Sequence, residues 1–513
     1  MLPLPETLPK WYTVEDTQER GWTPETKDII EGSGKPEVIK AWKNDLNLQN
    51  SKKFTVRLDR LQIISPIQVG GGSVFEGGIL PAQIGGVPCI PGSSIRGVLL
   101  KWIKAKWEGL LSNERDFWQS LITEDLSGWR PREIRFESIF FKDSLKPFPL
   151  HAQQNWQVFN EKSKHLSIQW QLVPEHPPKP NSNKFSLQVL LKSNLTTAQS
   201  QEKQWLETRL KEMLQHQGIG RGTASGFGRL ATLIPSGNWE IRLTGMKPCV
   251  QQQDNKKNQW GKYRWSPQVL RANLRGYFTR LALSVLGKEN ALELTKKIFG
   301  GLNSPAKLIL TSYLLPFQKA LVGQDLRDKY TNIPAQDAHS TWLINVDCHS
   351  NFQALIGALL NLASRLGGLG AGWRRPPHEL ERFRGFRGSE FTVTPANLEE
   401  PLNQLINRLQ GMIRNLAQEY GISVLSNPVK ISGSIISIWQ GKTKLWENLV
   451  HGVCRSADNP NNPNPNRPCW CGNSEDRPSG YAVRQHQDFC LVTVFDPQVE
   501  ATLKRLGFQQ VWC

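Results

Sequence analysis

An α+β fold built from two tandem copies of one strand–helix grammar is what this sequence predicts, and three observations carry the prediction. The order strand, loop, capped helix with an Arg-Gly pair, strand, helix, glycine-rich loop, basic residues occurs twice. A repeat of order over roughly 200 residues implies two copies of a domain, not a short-period solenoid. Periodicity assigns the elements: FTVRLDRLQI alternates apolar and polar residues as a strand does, and EKQWLETRLKEMLQH spaces its apolar residues as an amphipathic helix does. Finally, 513 residues with 38% hydrophobic and 21% charged content leave room for several buried cores and exclude a disordered polyelectrolyte.

The elements follow in chain order. Residues 1–52 are polar and mixed in charge, with Trp11, Trp22 and Trp42 spaced along them, and read as an arm that docks through isolated aromatics. The first domain, 53–237, opens with the strand from Phe54 and a glycine-rich stretch, VGGGSVFEGGILPAQIGGVPC. IPGSSIRGVLLKWIKAKWEGLL is then a helix capped by Ser93 and Ser94, with Ile95, Val98, Leu99, Trp102 and Ile103 on one face. Residues 128–183, rich in Pro, aromatics and His, read as an insertion. The strand FSLQVLLKS, a helix over Glu202–His216 and the loop GIGRGTASGFGRL complete the domain.

The second domain, 238–513, restarts with the strand WEIRLTGMKPCV and the polar loop QQQDNKKNQWGKYRW. SPQVLRANLRGYFTRLALSVLG is its capped helix, followed by KKIFGG and the strand AKLILTSYLL. A helix, FQALIGALLNLASRL, runs into GGLGAGWRRP, and PANLEEPLNQLINRLQGMIRNLAQEYG is a long helix or a pair. The Pro/Asn run SADNPNNPNPNRP holds neither helix nor central strand and belongs to an insertion near 451–490.

Lys and Arg number 63 against 45 Asp and Glu, a net +18 that favours an anionic partner, nucleic acid first. Phosphates suit two places. The helix start carries Ser93, Ser94, Arg96 and Lys101 beside unpaired N–H groups. The loop at Gly218, Gly220, Gly222, Gly226 and Gly228 offers bare amides with Arg221 and Arg229. In the second domain, Arg271, Arg275, Arg365, Arg374 and Arg375 are the counterparts. RLGGLGAGWRRPPHELERFRGFRG interleaves arginines with Trp373, Phe383 and Phe386, a composition for single-stranded RNA; the alternative is a solvated basic face or an interface to an acidic subunit.

Eight cysteines in so long a chain do not make a disulfide scaffold. Cys454, Cys469, Cys471 and Cys490, spaced C-x14-C-x-C-x18-C beside the Pro/Asn loop, are a candidate structural zinc set, with buried thiols as the alternative. His151, His165 and His176 lie in the first insertion with no nucleophile pattern. The start MLPLPETLPKWYTVED lacks a basic segment followed by an apolar one, and no apolar run reaches the roughly 18 residues of a membrane span, so a cytoplasmic protein with no membrane partner is expected.

The strand followed by VGGGSVFEGG, PCIPGSSIRGVLLKW and, much later, GIGRGTASGFGRL resembles the RAMP (repeat-associated mysterious protein) superfamily, backbone subunits of type III CRISPR effectors in antiviral defence. The second copy is similar, more loosely, to the two-domain head subunits of Cmr-type complexes. The resemblance implies RRM-like (ferredoxin-like) βαββαβ cores that grip the backbone of a CRISPR guide RNA. It also implies target RNA, other RAMP subunits and the large polymerase/cyclase subunit as partners, and a place toward the guide 3′ end. Slicing members carry an Asp after the first strand for Mg²⁺-dependent cleavage. Here that stretch, SVFEGGILPAQIGG, holds no Asp; Glu76 lies nearest, and Asp254 occupies the matching place in the second copy. The expectation is therefore a structural RNA-binding subunit needing no cofactor. A metal-dependent endoribonuclease, a guide-processing ribonuclease and a free-standing RNA-binding protein are the alternatives.

Overall fold

The structure, a computed structural model, describes residues 54–70, 73–74, 78–79, 82–84, 87–125, 128–131, 134–140, 146–150, 158, 167–171, 185–191, 200–233, 236–244, 250–254, 259–264, 267–301, 304–315, 341–348, 350–369, 390–443, 445–455, 463–472 and 479–513. The chain divides into two units, one formed by Met1–Leu150 with Ser167–Pro235 and the other by His151–Leu166 with Ser236–Cys513.

In the first unit the predicted alternation forms β1 (Phe54–Ile63), which buries Val56 and Leu58 while Arg57 and Asp59 stay exposed. Leu58 and Leu61 are three apart yet both buried, which a strict two-residue period forbids. A bulge at Arg60, with φ +59°, restores the face. Helix α1 (Gly92–Lys106) follows and buries Ile95, Leu99 and Ile103, one turn apart each. After it come α2 (Ser112–Leu121), β2 (Ile134–Phe136), β3 (Phe185–Leu191), α3 (Ser200–Glu212) and β4 (Leu230–Ala231). The strands form one antiparallel sheet in the order β4-β1-β3-β2, that is, fourth, first, third, second. Leu206, Leu210, Met213 and Leu214 from the α3 region meet α1 and the sheet in one core. Residues 128–183 are not purely an insertion: β2 lies within them, and Lys146–Leu150 pairs with Ser167–Gln171 in a separate sheet.

The second unit repeats the arrangement. Its strands are β5 (Trp239–Thr244), β6 (Leu310–Leu314), β7 (Thr341–Cys348) and β8 (Glu390–Thr394), in the order β6-β7-β5-β8. Read from β8, this is again fourth, first, third, second. Helices α4 (Pro267–Leu286) and α5 (Lys288–Phe299) fill the first crossover, and α6 (Ser350–Leu366) begins the second. Helix α7 (Leu402–Glu419), one helix and not a pair, sets Leu405, Ile406, Leu409 and Ile413 into the same core.

The order then occurs a third time, where the sequence predicted a loop insertion. Strands β9 (Ser437–Lys442), β10 (Tyr481–Gln485), β11 (Phe489–Val494) and β12 (Gln509–Trp512) pair as β10-β11-β9-β12. A helical stretch, Asn448–Cys454, occupies the first crossover and α8 (Gln498–Arg505) the second. Both faces of this sheet are covered. Trp439, Val492 and Val494 join Trp446, Leu449, Val499 and Leu503 in a core of their own, while Ile438, Ala482, Leu491 and Phe495 join the core of α4 and α6.

Candidate nucleic-acid interface

Helix α1 does not start as the sequence suggested. Pro91 is the N-cap, so Ser93 and Ser94 lie in the first turn and neither caps it. The start is fixed by Gly92, whose N–H donates to Ser138 Oγ at 3.1 Å and whose missing side chain leaves room for Phe136 O; a Cβ there would sit 2.0 Å from that oxygen. The first turn has no acidic residue, Ser93 and Lys101 are exposed, and Ser94 and Arg96 are half-buried. The N–H groups of Gly92, Ser94 and Ile95 are thus already engaged, with Ser138 Oγ and Pro91 O, so what this helix start offers an anion is its dipole and Arg96.

The glycine-rich loop is a built structure. Gly228 has φ +78° and a Cβ on it would lie 2.0 Å from Ile219 O, so only glycine lets the two sides of the loop close. The loop is pinned to the segment after β1: Arg221 N–H donates to Gln68 O at 2.9 Å, Gly228 N–H to Pro66 O at 2.8 Å and Arg229 N–H to Ser65 Oγ at 2.8 Å. Arg229, predicted to meet phosphate, is wholly buried. Its guanidinium donates to Phe227 O at 2.7 Å, Thr223 O at 2.8 Å and Gln217 O, so it braces the loop from inside. Arg221 is the exposed arginine at the tip. Helix α1 packs against Met213–Gln217, the residues that lead into this loop.

Residues 60–231 match the RAMP superfamily. The matched stretch runs from within β1 to the end of β4 and holds α1 and the braced loop, so the first unit carries a mixed α/β, RAMP-like domain. No curated protein matches the chain. Among solved structures, the crystal structure of Cmr1 from Pyrococcus furiosus in its apo form is similar at 13% identity and a TM-score of 0.28, over 53% of this chain and 98% of that one.

Outside residues 60–231, two of the three described arginines assigned from sequence are buried. Arg271 is 2% exposed and donates to Phe299 O at 2.9 Å and Leu308 O at 3.2 Å; Arg275, 6% exposed, donates to Gly300 O at 2.6 Å. They tie α4 to the segment between α5 and β6. Burial, with Arg275 adding to it, pushes Arg271 down to about 9, and burial pushes Arg275 down to about 10, which leaves both charged at neutral pH. Two buried arginines escaped the sequence reading. Arg280 donates to Gly433 O at 2.7 Å and stacks 3.6 Å from the Phe495 ring centre, and Arg484 lies over Phe391. The i, i+4 placement of Arg271 and Arg275 within an apolar helix was the available signal. Arg365 is half-buried and donates to Asn397 O at 2.8 Å. Arg374 and Arg375 lie outside the described residues, as does Glu76. Asp254 ends a strand, Val250–Asp254, that forms a hairpin with Gln259–Arg264 between β5 and α4.

The four candidate zinc ligands do not converge. Cys454 and Cys471 are joined as a disulfide with Cα atoms 5.5 Å apart, which ties the helical stretch before the Pro/Asn run to the turn after it. Cys469, two residues away, is exposed, and Cys490 donates from β11 to Lys442 O at 3.3 Å. Among the described residues no group of three or more His, Cys, Asp or Glu is placed to hold a metal ion. No helix among them is long and apolar enough to cross a membrane.

Proposed function

We propose that the protein is a structural RNA-binding subunit of a type III CRISPR RNA-targeting complex, which holds guide RNA by its phosphate backbone toward the 3′ end without cutting the target. In this reading each of the three sheets with the strand order fourth, first, third, second is an RRM-like (ferredoxin-like) copy. The RAMP domain does the gripping, and other RAMP subunits and the large polymerase/cyclase subunit are its neighbours. The observation that carries it is the braced glycine loop with exposed Arg221, reached from the same segment that packs on α1 and its acid-free first turn. Such a pairing offers charge and a helix dipole, with most amides of the loop spent within the protein and no group that reads a base edge, as backbone binding requires. The third copy has both sheet faces buried and serves as a buttress.

The test is salt-dependent RNA binding by wild type and an Arg96→Ala/Arg221→Ala variant. Each lost single-strand phosphate contact should reduce the log–log salt slope by about 0.7, with equal loss on unrelated RNA sequences. An unchanged slope, or loss confined to one sequence, contradicts the reading. A metal-dependent endoribonuclease is the second reading. It is supported by the hairpin whose first strand ends at Asp254, between the first strand and first helix of the second sheet, the counterpart of the stretch that holds Glu76.

A further inference from the structure

The Cys454–Cys471 bond stands apart from the rest of the cysteine chemistry in this chain. Among the described residues Cys89, Cys348, Cys469, Cys490 and Cys513 lie outside any disulfide, so the bond is not one of a set that holds an oxidised scaffold. It joins the helical stretch Asn448–Cys454, the first crossover of the third sheet, to the short turn Cys469–Cys471. Both residues belong to the core of that sheet, with Cys454 3% and Cys471 9% exposed.

The two ends are also held together without the bond. On one side Asn464 N–H donates to Cys454 O at 3.3 Å, and Arg455 pairs with Pro463. On the other, Gly480 N–H donates to Trp470 O at 2.7 Å, and the Trp470 ring meets Tyr481 edge-on with centres 5.7 Å apart. Cys454 Sγ lies 3.4 Å from the Tyr481 hydroxyl, so a thiol released there keeps a polar partner. The dithiol form therefore retains a packed core and neighbouring sulfurs, and the bond is a constraint added to an already formed fold. The turn reaches the surface, since Cys469 is exposed, and its own backbone bonds are only two, Cys471 N–H to Pro468 O at 3.0 Å and Gly472 N–H to Cys469 O at 3.1 Å. Opening this one turn brings Cys471 to solvent without disturbing the sheet.

We propose that Cys454 and Cys471 form a reversible redox switch in the third sheet, a dithiol under reducing conditions that a small-molecule disulfide of the oxidised-glutathione class closes. The Cys471 thiolate, the more exposed of the two, attacks one sulfur of the disulfide RSSR, giving a mixed disulfide and releasing RS⁻. The Cys454 thiolate then attacks Cys471 Sγ, which forms the internal bond as the second RS⁻ leaves. Each RS⁻ takes up one of the two cysteine protons, so two thiols are oxidised as one RSSR becomes two RSH. Opening is the same sequence reversed. Closing the bond fixes the first crossover against the Cys469–Cys471 turn. Because Ile438, Ala482, Leu491 and Phe495 of the same sheet belong to the core of α4 and α6, the added stability is felt by the second unit. The switch does not depend on the RNA-binding reading.

The experiment equilibrates the full chain in glutathione buffers that run from fully reduced to mostly oxidised, then traps thiols with an alkylating agent and locates them by peptide mass spectrometry. Cys454 and Cys471 should pass together from alkylated to bridged, and back again when the oxidised sample is returned to reduced buffer. In melts followed by circular dichroism, the oxidised form should unfold roughly 10 °C above the reduced form, the scale for closing a loop of this length in a unit of this size. Cys454→Ala/Cys471→Ala should melt at one temperature in both buffers, and the wild-type titration stands alone if that variant fails to fold. Cys469→Ser should leave the transition and both melts as they are. A bond that stays closed in folded protein at the reducing extreme, or thiols that stay open at the oxidising one, overturns the proposal. So does a reduced chain that no longer melts cooperatively, or a bridge that forms through Cys469.

Discussion

Replacing Arg229 and Arg221 separately should have opposite effects, because one arginine holds the glycine loop together and the other stands outside it. Arg229→Ala removes a fully buried guanidinium that donates to three carbonyl oxygens, those of Gln217, Thr223 and Phe227. An acceptor left buried without a donor costs about 1–3 kcal/mol. Water entering the vacated volume recovers part of this, so the net loss should be about 3–5 kcal/mol. For a unit of this size, 1 kcal/mol moves the midpoint by about 2–4 °C, giving a fall of about 10 °C. Arg221→Ala removes an exposed side chain and should shift the midpoint by less than about 2 °C, since surface changes stay within roughly 0.5 kcal/mol. Thermal melts followed by circular dichroism, with RNA affinity measured well below the lower midpoint, make the comparison. If Arg229→Ala melts with wild type yet loses RNA, the guanidinium faces the ligand and the brace does not exist.

Other consequences follow from the same geometry. Gly228→Ala places a Cβ 2.0 Å from Ile219 O at a φ of +78°, and should lower the midpoint of the first unit by at least as much as Arg229→Ala in the same melts. Glu114 is buried between α2 and α3. Burial alone raises its pKa, but the two bonds from Arg209 at 2.7 and 2.8 Å and one from Trp118 outweigh it and hold the carboxyl below its ordinary value. That stabilisation is complete above the unfolded pKa, about 4.3, and is lost as pH falls through the lower folded value. Glu114→Gln should thus cost about 3 kcal/mol at pH 7 and remove this component of acid sensitivity, measured by denaturant titration from pH 7 to 3. Glu76→Ala and Asp254→Ala should leave every Mg²⁺-dependent cut made by the assembled complex unchanged on labelled target RNA; loss of a cut in either variant establishes the endoribonuclease reading. Cys454→Ser/Cys471→Ser should lower the stability of the third sheet and leave zinc content at zero by elemental analysis, whereas stoichiometric zinc in wild type would mean that the cysteines converge on a metal.

The sequence showed the first sheet well because its strands obey simple periods. FTVRLDRLQI alternates except at the bulge, and Ile95, Leu99 and Ile103 recur at helical spacing. The third sheet was hidden for a physical reason. With both faces covered, β10 and β11 are buried at nearly every position, so YAVRQ and FCLVTV carry no alternation that marks a solvent face. Its first crossover is an irregular helical stretch, NLVHGVC, followed by the Pro/Asn run, which carries no regular helical pattern. The loop GIGRGTASGFGRL was recognisable, but its two arginines are of the same residue type and only burial tells them apart. Arg271 and Arg275 misled in the same way: on α4 they lie among Leu270, Leu274 and Phe278, a setting in which charge points to the backbone carbonyls of a neighbouring segment and not to solvent.

Sequencing the RNA that co-purifies with the native protein tests the central claim most directly. The account predicts guide RNAs of defined length, held in a complex with other RAMP subunits and released by high salt, with this chain crosslinked near their 3′ ends. Protein that purifies alone and free of RNA, or that carries only heterogeneous cellular RNA, would contradict it, and a crosslink at the repeat-derived 5′ end would contradict the assigned position.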